Sequence, residues 1–181
     1  MARYTKDDWS HAALAAMAEQ GTAGINMEQL AQQLGASKGA VYYHFNNRQA
    51  LLEAALERWE DTVEADFAAG AKIEDARERL TAVTFIATGT KLDGFVDIAL
   101  ASSMDDPTVA ATVERVNKRR LSLLLEILTE LGIPKDEVEE RALGGLAAYL
   151  GLYQLQRSTG ERFTEDRTRR LLTGAIEAML R

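Results

Sequence analysis

Ser37, Lys38, Gly39, Tyr42, Tyr43, His44 and Arg48 crowd into the run SKGAVYYHFNNR. The chemistry open to these side chains is recognition. A lysine ammonium donates to guanine N7 or O6, and a glycine lets another backbone come close. A tyrosine ring rests on a thymine methyl or a sugar while its hydroxyl reaches a phosphate. Serine, histidine and arginine donate to phosphate, arginine with particular strength. Taken singly each residue is ordinary, since adjacent tyrosines and a lone histidine are common on protein surfaces. Val41 and Phe45, four apart, supply an inner face for a helix here. Lys38, Tyr42, Tyr43 and His44 are then left together on its outer side, where packing has no use for them. Gly39 costs such a helix about 1 kcal/mol relative to alanine, which calls for a steric reason.

The elements that would carry these groups are legible around them. Asn26 begins a helix, with Gln29 placed for a capping box. Met27, Leu30, Ala31 and Leu34 follow at helical spacing and Gly35 ends the run. Ser37 is expected to cap the next helix. Two short helices joined by the tight turn LGAS have the spacing of a helix-turn-helix, whose second helix enters a DNA major groove. At the start of the following helix, Arg48 and free backbone N–H groups could grip a phosphate.

LAQQLGASKGAVYYHFNNRQALLEAAL resembles the DNA-binding signature of the tetracycline-repressor (TetR) family of bacterial regulators. Leu30 and Ala31, Gly35, Ser37–Gly39, Tyr42, His44 and Phe45, Arg48, and Leu51 and Leu52 carry the likeness, which is specific over about residues 10–55. The resemblance implies that Lys38, Gly39, Tyr42 and Tyr43 meet bases or nearby backbone, and that Ser37, His44 and Arg48 hold phosphates. One departure stands out. Where the family often has threonine or a basic residue, this chain reads Asn26-Met27-Glu28. Asn26 can serve as cap and phosphate donor, whereas Glu28 either faces solvent or accepts from a cytosine amino group.

Helical periodicity continues through the rest of the 181 residues, with only two prolines and no alternating strand pattern. The breakers predict an all-α fold of about nine helices, near residues 5–20, 26–34, 37–45, 48–69, 74–89, 93–102, 107–131, 136–157 and 164–180. This divides into a helix-turn-helix DNA-binding domain, residues 1–47, and a helical ligand-binding and dimerisation domain, residues 48–181. The 48–69 helix is long enough to belong to both.

Two uses suggest themselves for the larger part. Gly144, Gly145 and Gly151, among Ala142, Ala147 and Ala148, are costly inside one helix. They fit either close packing within the chain or the approach of a second copy. The resemblance implies the second: a homodimer whose last two helices form a four-helix bundle, with Leu143, Leu146, Leu150, Leu171, Leu172, Ala175, Ala178 and Met179 as contacts. Two-fold symmetry then predicts a palindromic operator in double-stranded DNA. The other use is sensing. Trp59, Phe85, Phe95, Ile98, Met104, Leu124, Ile127, Tyr149 and Tyr153 could line an apolar cavity with a few polar tips, or be plain core. In the family a small-molecule effector bound in this region moves the two DNA-reading heads apart.

Composition limits the alternatives. The net charge is −7, yet residues 1–52 balance four cations (Arg3, Lys6, Lys38, Arg48) against four anions (Asp7, Asp8, Glu19, Glu28), so the acidity lies beyond them. There are no cysteines and two histidines, no phosphate-binding loop and no dinucleotide fingerprint, so no metal, cofactor or enzyme is expected. Lys118-Arg119-Arg120 is expected to pair on the surface. No apolar run suits a membrane span or a signal peptide, and the expected location is the cytoplasm. The reading from a different class is a helical small-molecule-binding or protein-interaction module without DNA binding, which the acidic balance and Glu28 would suit.

Overall fold

A computed structural model describes residues 4–86 and 93–181, all in helices and their connections, with no strand among them. The helices are α1 (Lys6–Gln20), α2 (Met27–Gln33), α3 (Lys38–His44), α4 (Arg48–Gly70), α5 (Ala76–Ile86), α6 (Asp93–Ala101), α7 (Pro107–Glu130), α8 (Val138–Thr159) and α9 (Glu165–Leu180), with a single 3-10 turn at Thr22–Gly24. Each helix expected from the periodicity is present. Of the one expected near 74–89, residues 87–89 lie outside the described residues, as does Arg3.

The helix ends follow local chemistry. Thr5 and Asp8 close a full capping box on α1. Pro107 opens α7, where a missing N–H costs nothing, and the Asp106 carboxylate accepts from Thr108 N at 2.8 Å. Gly35 takes φ +62° after α2. Ala36 N donates to Ala31 O (2.8 Å) and Gly35 N to Gln32 O (3.0 Å), the paired bonds of a Schellman stop.

The chain packs as two compact units, Met1–Thr62 with Val96–Val113, and Val63–Phe95 with Glu114–Arg181. The division falls inside α4, α6 and α7. In the first unit, Trp9, Met17, Leu30, Val41, Leu51, Leu52, Trp59 and Leu100 are almost wholly buried. Arg58 of α4 pairs with Asp7 of α1. The α6–α7 segment is tied in through Thr22 Oγ1 to Ser103 Oγ (3.1 Å) and Gln49 Nε2 to Thr108 Oγ1 (3.1 Å). In the second unit α9 packs along α8 and against α5, around Leu80, Ile127, Leu128, Leu172, Ile176 and Met179.

Candidate nucleic-acid interface

The first unit builds α3 into a presenting surface. Asn26 Oδ1 accepts from Glu28 N (3.0 Å) and Gln29 N (3.1 Å), which fixes the first turn of α2. Met27, Leu30 and Ala31 bury the inner side of α2, and Val41 with Phe45 pins α3 beneath. On a helix, residues four apart share a face. Lys38 and Tyr42 therefore stand together away from Val41, with the Lys38 ammonium 5.7 Å from the Tyr42 ring centroid. Tyr42 is 42% and Tyr43 79% exposed, unusual for rings this large.

Gly39 is the most telling position. A Cβ built there would meet nothing nearer than Ser37 Oγ at 3.9 Å. Its backbone is helical and there is room for a side chain, so no contact among the described residues requires glycine.

The other expected contact residues have partners that sequence could not assign. Ser37 holds the cap position of α3 with extended backbone, but its hydroxyl makes no capping bond. The expected side-chain cap is absent and the hydroxyl stays available. Lys38 Nζ lies 2.5 Å from Glu28 Oε1, with both side chains about 60% exposed (63% and 60%). That bond holds the Lys38 ammonium above the usual lysine range. Glu28 thus points at α3 rather than simply into solvent. His44 Nε2 lies 2.9 Å from the Tyr4 carbonyl. A carbonyl only accepts, so Nε2 carries the proton and Nδ1 of a neutral ring is itself an acceptor. His44 therefore fastens α3 to the chain before α1. Arg48 Nε donates to Ile25 O (3.0 Å) and Nη2 to Thr22 O (2.5 Å), so this guanidinium staples the 3-10 turn.

Tyr4 was not legible as a contributor. Its hydroxyl donates to Leu34 O at the end of α2 while its carbonyl receives His44. One residue thereby ties both helices of the motif, across 30 and 40 positions of sequence. No local pattern announces such a contact.

The residues expected to line a ligand cavity fall in both units. Trp59 and Ile98 are core of the first unit, where Met104 is 46% exposed. In the second unit Leu124 and Tyr149 line a small apolar cavity of about 70 Å³ together with Phe67, Leu123, Leu146 and Met179. Tyr149 and Phe95 each meet Tyr153 edge to face, at 5.3 and 5.2 Å. Ile127 is plain core and Phe85 half-buried. Arginines stand over three of these rings: Arg162 over Phe95 (3.7 Å), Arg120 over Tyr149 (5.4 Å) and Arg169 over Phe85 (5.1 Å). Arg120 corrects the reading of the basic run as surface. Lys118 pairs with Glu114 and Arg119 with Glu64, but Arg120 is buried and lines the cavity. Among the described residues no cluster of acidic or histidine side chains could hold a metal, and no helix is long and apolar enough to cross a membrane.

The α8 glycines divide. A Cβ on Gly145 would collide with Met179 Sδ at 2.1 Å, so that glycine serves packing within the chain. A Cβ on Gly144, Gly151 or, on α9, Gly174 would meet none of the described residues within 4 Å. Beside them Leu143, Leu155 and Leu171 are exposed.

Residues 11–55 match the family profile described as bacterial regulatory proteins, tetR family. Over 180 residues the chain is 27% identical to the HTH-type transcriptional regulator BetI of Yersinia pestis, covering 93% of this chain and 89% of that protein. A transcriptional regulator from Rhodococcus sp. Rha1 superposes with a TM-score of 0.80 at 22% identity, covering 98% of this chain and 96% of the other. A regulator from Saccharomonospora viridis, solved in complex with choline, superposes with a TM-score of 0.79 at 22% identity over 95% of each chain.

Proposed function

We propose that this chain, which belongs to the tetR family of bacterial regulatory proteins, is a homodimeric, ligand-responsive repressor. It reads a palindromic operator with α3 and is released by a small molecule bound in the second unit. The observation that carries the DNA reading is Gly39, a helix-weakening residue with open space where its side chain would be. A duplex pressed against α3 supplies the missing reason. Lys38, Tyr42 and Tyr43 read bases or adjacent backbone, Ser37 and Asn26 hold phosphates, and His44 and Arg48 position the motif through Tyr4, Thr22 and Ile25. On this reading residues 1–47 form the DNA-binding domain and residues 48–181 the effector and dimerisation domain, in the cytoplasm and without enzymatic activity.

The dimer is supported by the outer face of α8 and α9. Exposed leucines beside glycines with open Cβ directions suit a second backbone approaching closely, which glycine inside a helix otherwise does not justify. The effector site is supported by the cavity at Leu124 and Tyr149. At about 70 Å³ it is far below the several hundred Å³ of a typical ligand pocket. Binding therefore selects a more open arrangement of the second unit, and release from DNA follows from that population shift. The Saccharomonospora relative binds choline, and aromatic rings do attract quaternary ammonium groups. In this chain Arg162 and Arg120 already stand over Phe95 and Tyr149. An apolar effector without positive charge fits that environment better.

The test is a footprint on DNA flanking the chain's own gene, with affinity titrated against salt. A protected palindrome and a steep negative salt slope are expected. A folded protein that protects nothing, with affinity indifferent to salt, would make it the ligand- or protein-binding module instead. For the effector, a thermal-shift screen is expected to show stabilisation by apolar uncharged compounds and none by choline.

A further inference from the structure

Glu28 is an acidic side chain ion-paired to Lys38 on the outer face of α3, and exposed ion pairs of this kind add little to stability. Its place beside the reading lysine has a cost for DNA binding, because a carboxylate near the backbone repels phosphate. Building on the operator-reading function proposed above, we infer that Glu28 is a specificity-determining residue that reads one base pair jointly with Lys38, the two charges acting as a single donor–acceptor unit.

The warrant is complementarity. Seen from the major groove, a G·C pair presents guanine N7 and O6 as acceptors and then the cytosine N4 amino group as donor. O6 and N4 are hydrogen-bonded to each other and so lie roughly 2.9 Å apart. An ammonium and a carboxylate oxygen in contact, as Lys38 Nζ and Glu28 Oε1 are at 2.5 Å, offer donor and acceptor at matching separation. Lys38 spans N7 and O6 while Glu28 accepts from N4, and the ion pair survives binding. Glu28 rides on a turn set by Asn26 Oδ1 at 3.0 Å, and Lys38 lies against the Tyr42 ring.

The same geometry ranks the alternatives. A T·A pair in the same orientation keeps thymine O4 for Lys38 and adenine N6 for Glu28, but puts a methyl group where guanine N7 was. The C·G and A·T orientations place an amino group against the ammonium and an acceptor against the carboxylate. The preference runs from G·C to T·A, with the other two well behind. Glu28 also draws Lys38 away from phosphates, so it lowers affinity for random sequence while sharpening choice, a repulsive device of the kind specificity often needs.

The experiment is selection of sites from random DNA by the full chain and by Glu28→Ala and Glu28→Gln, followed by affinities for the selected site with each of the four pairs at the implicated position. Wild type is expected to fix G·C at one position per half-site, with about a tenfold or greater penalty for C·G and A·T, the size of one good base contact. Glu28→Ala should reduce that ratio to within about threefold while leaving the other positions unchanged. Both variants should bind random DNA more tightly and melt with wild type. The inference is overturned if Glu28→Ala keeps the same preference at every position, or gains affinity uniformly across sequences with all ratios intact; the operator-reading function would then still stand. A wild-type protein that selects no symmetric site overturns both.

Discussion

Gly39 weakens its own helix, and no contact among the described residues requires it. Gly39→Ala is therefore expected to raise thermal stability, by about 0.5–1 kcal/mol, while weakening operator binding, since the new methyl points where a duplex would lie. Melting curves and gel shifts on one sample separate the two effects. Loss of DNA affinity together with loss of stability would show an internal role instead. Tyr4 gives the converse case. Tyr4→Phe removes a hydroxyl that donates to Leu34 O, a loss of about 0.5–1.5 kcal/mol. It should also lower operator affinity although Tyr4 is assigned no DNA contact, because the α2–α3 turn is less firmly held. Gel shifts with Tyr4→Phe check this. At this scale the sequence shows what a side chain can do but not whom it meets. Lys38, Tyr42 and Tyr43 face outward as helical spacing predicts, because that follows from a local repeat. The partners of Glu28, His44 and Arg48 lie 10, 40 and up to 26 positions away and depend on how the elements fold over one another.

Element boundaries were the most legible feature, since breakers and caps act on their immediate neighbours. Asn26, Gly35 and Pro107 all sit where their chemistry puts them. What eluded the pattern was the 3-10 turn at Thr22–Gly24, too short to have a period, and the bare hydroxyl of Ser37. The buried position of Arg120 was hidden because a charged triplet looks like surface until the neighbouring helices are known. Contact between elements is close where α6 meets α8. A Cβ on Gly94 would sit 2.2 Å from ring atoms of Tyr153, itself wedged between Phe95 and Tyr149. A ring held on both sides cannot swing aside as a methionine tip can. Gly94→Ala should thus destabilise by about 1–3 kcal/mol, whereas Gly144→Ala, with nothing within 4 Å, should stabilise the isolated chain. Urea titrations of the two variants provide the comparison.

For the whole molecule, the proposed dimer makes a separable prediction. Leu143→Glu with Leu171→Glu places charges on exposed positions and should leave helical content intact. It should convert a dimer to a monomer in sedimentation and abolish tight operator binding, because one half-site alone gives up the second head's contribution. A double variant that remains dimeric would move the interface elsewhere. The division into two units was the part of the architecture least legible in the sequence. The first unit ends inside α4, at Thr62, and draws in Val96–Val113, a joining of distant segments that no local pattern announces. Long-range bonds such as Thr22 to Ser103, 81 positions apart, have no signature in the chain.

Trp9 and Trp59 are the only tryptophans, and both are buried in the first unit, at 0% and 2% exposure. The second unit carries tyrosine and phenylalanine alone. Emission excited beyond the tyrosine band is therefore a built-in reporter of one half of the protein, while the far-ultraviolet dichroism sums over both. If the two traces coincide on heating, the halves melt as a single cooperative body. If the dichroism falls first while the emission stays blue, the second unit can loosen with the first still folded, and no label need be added to see it.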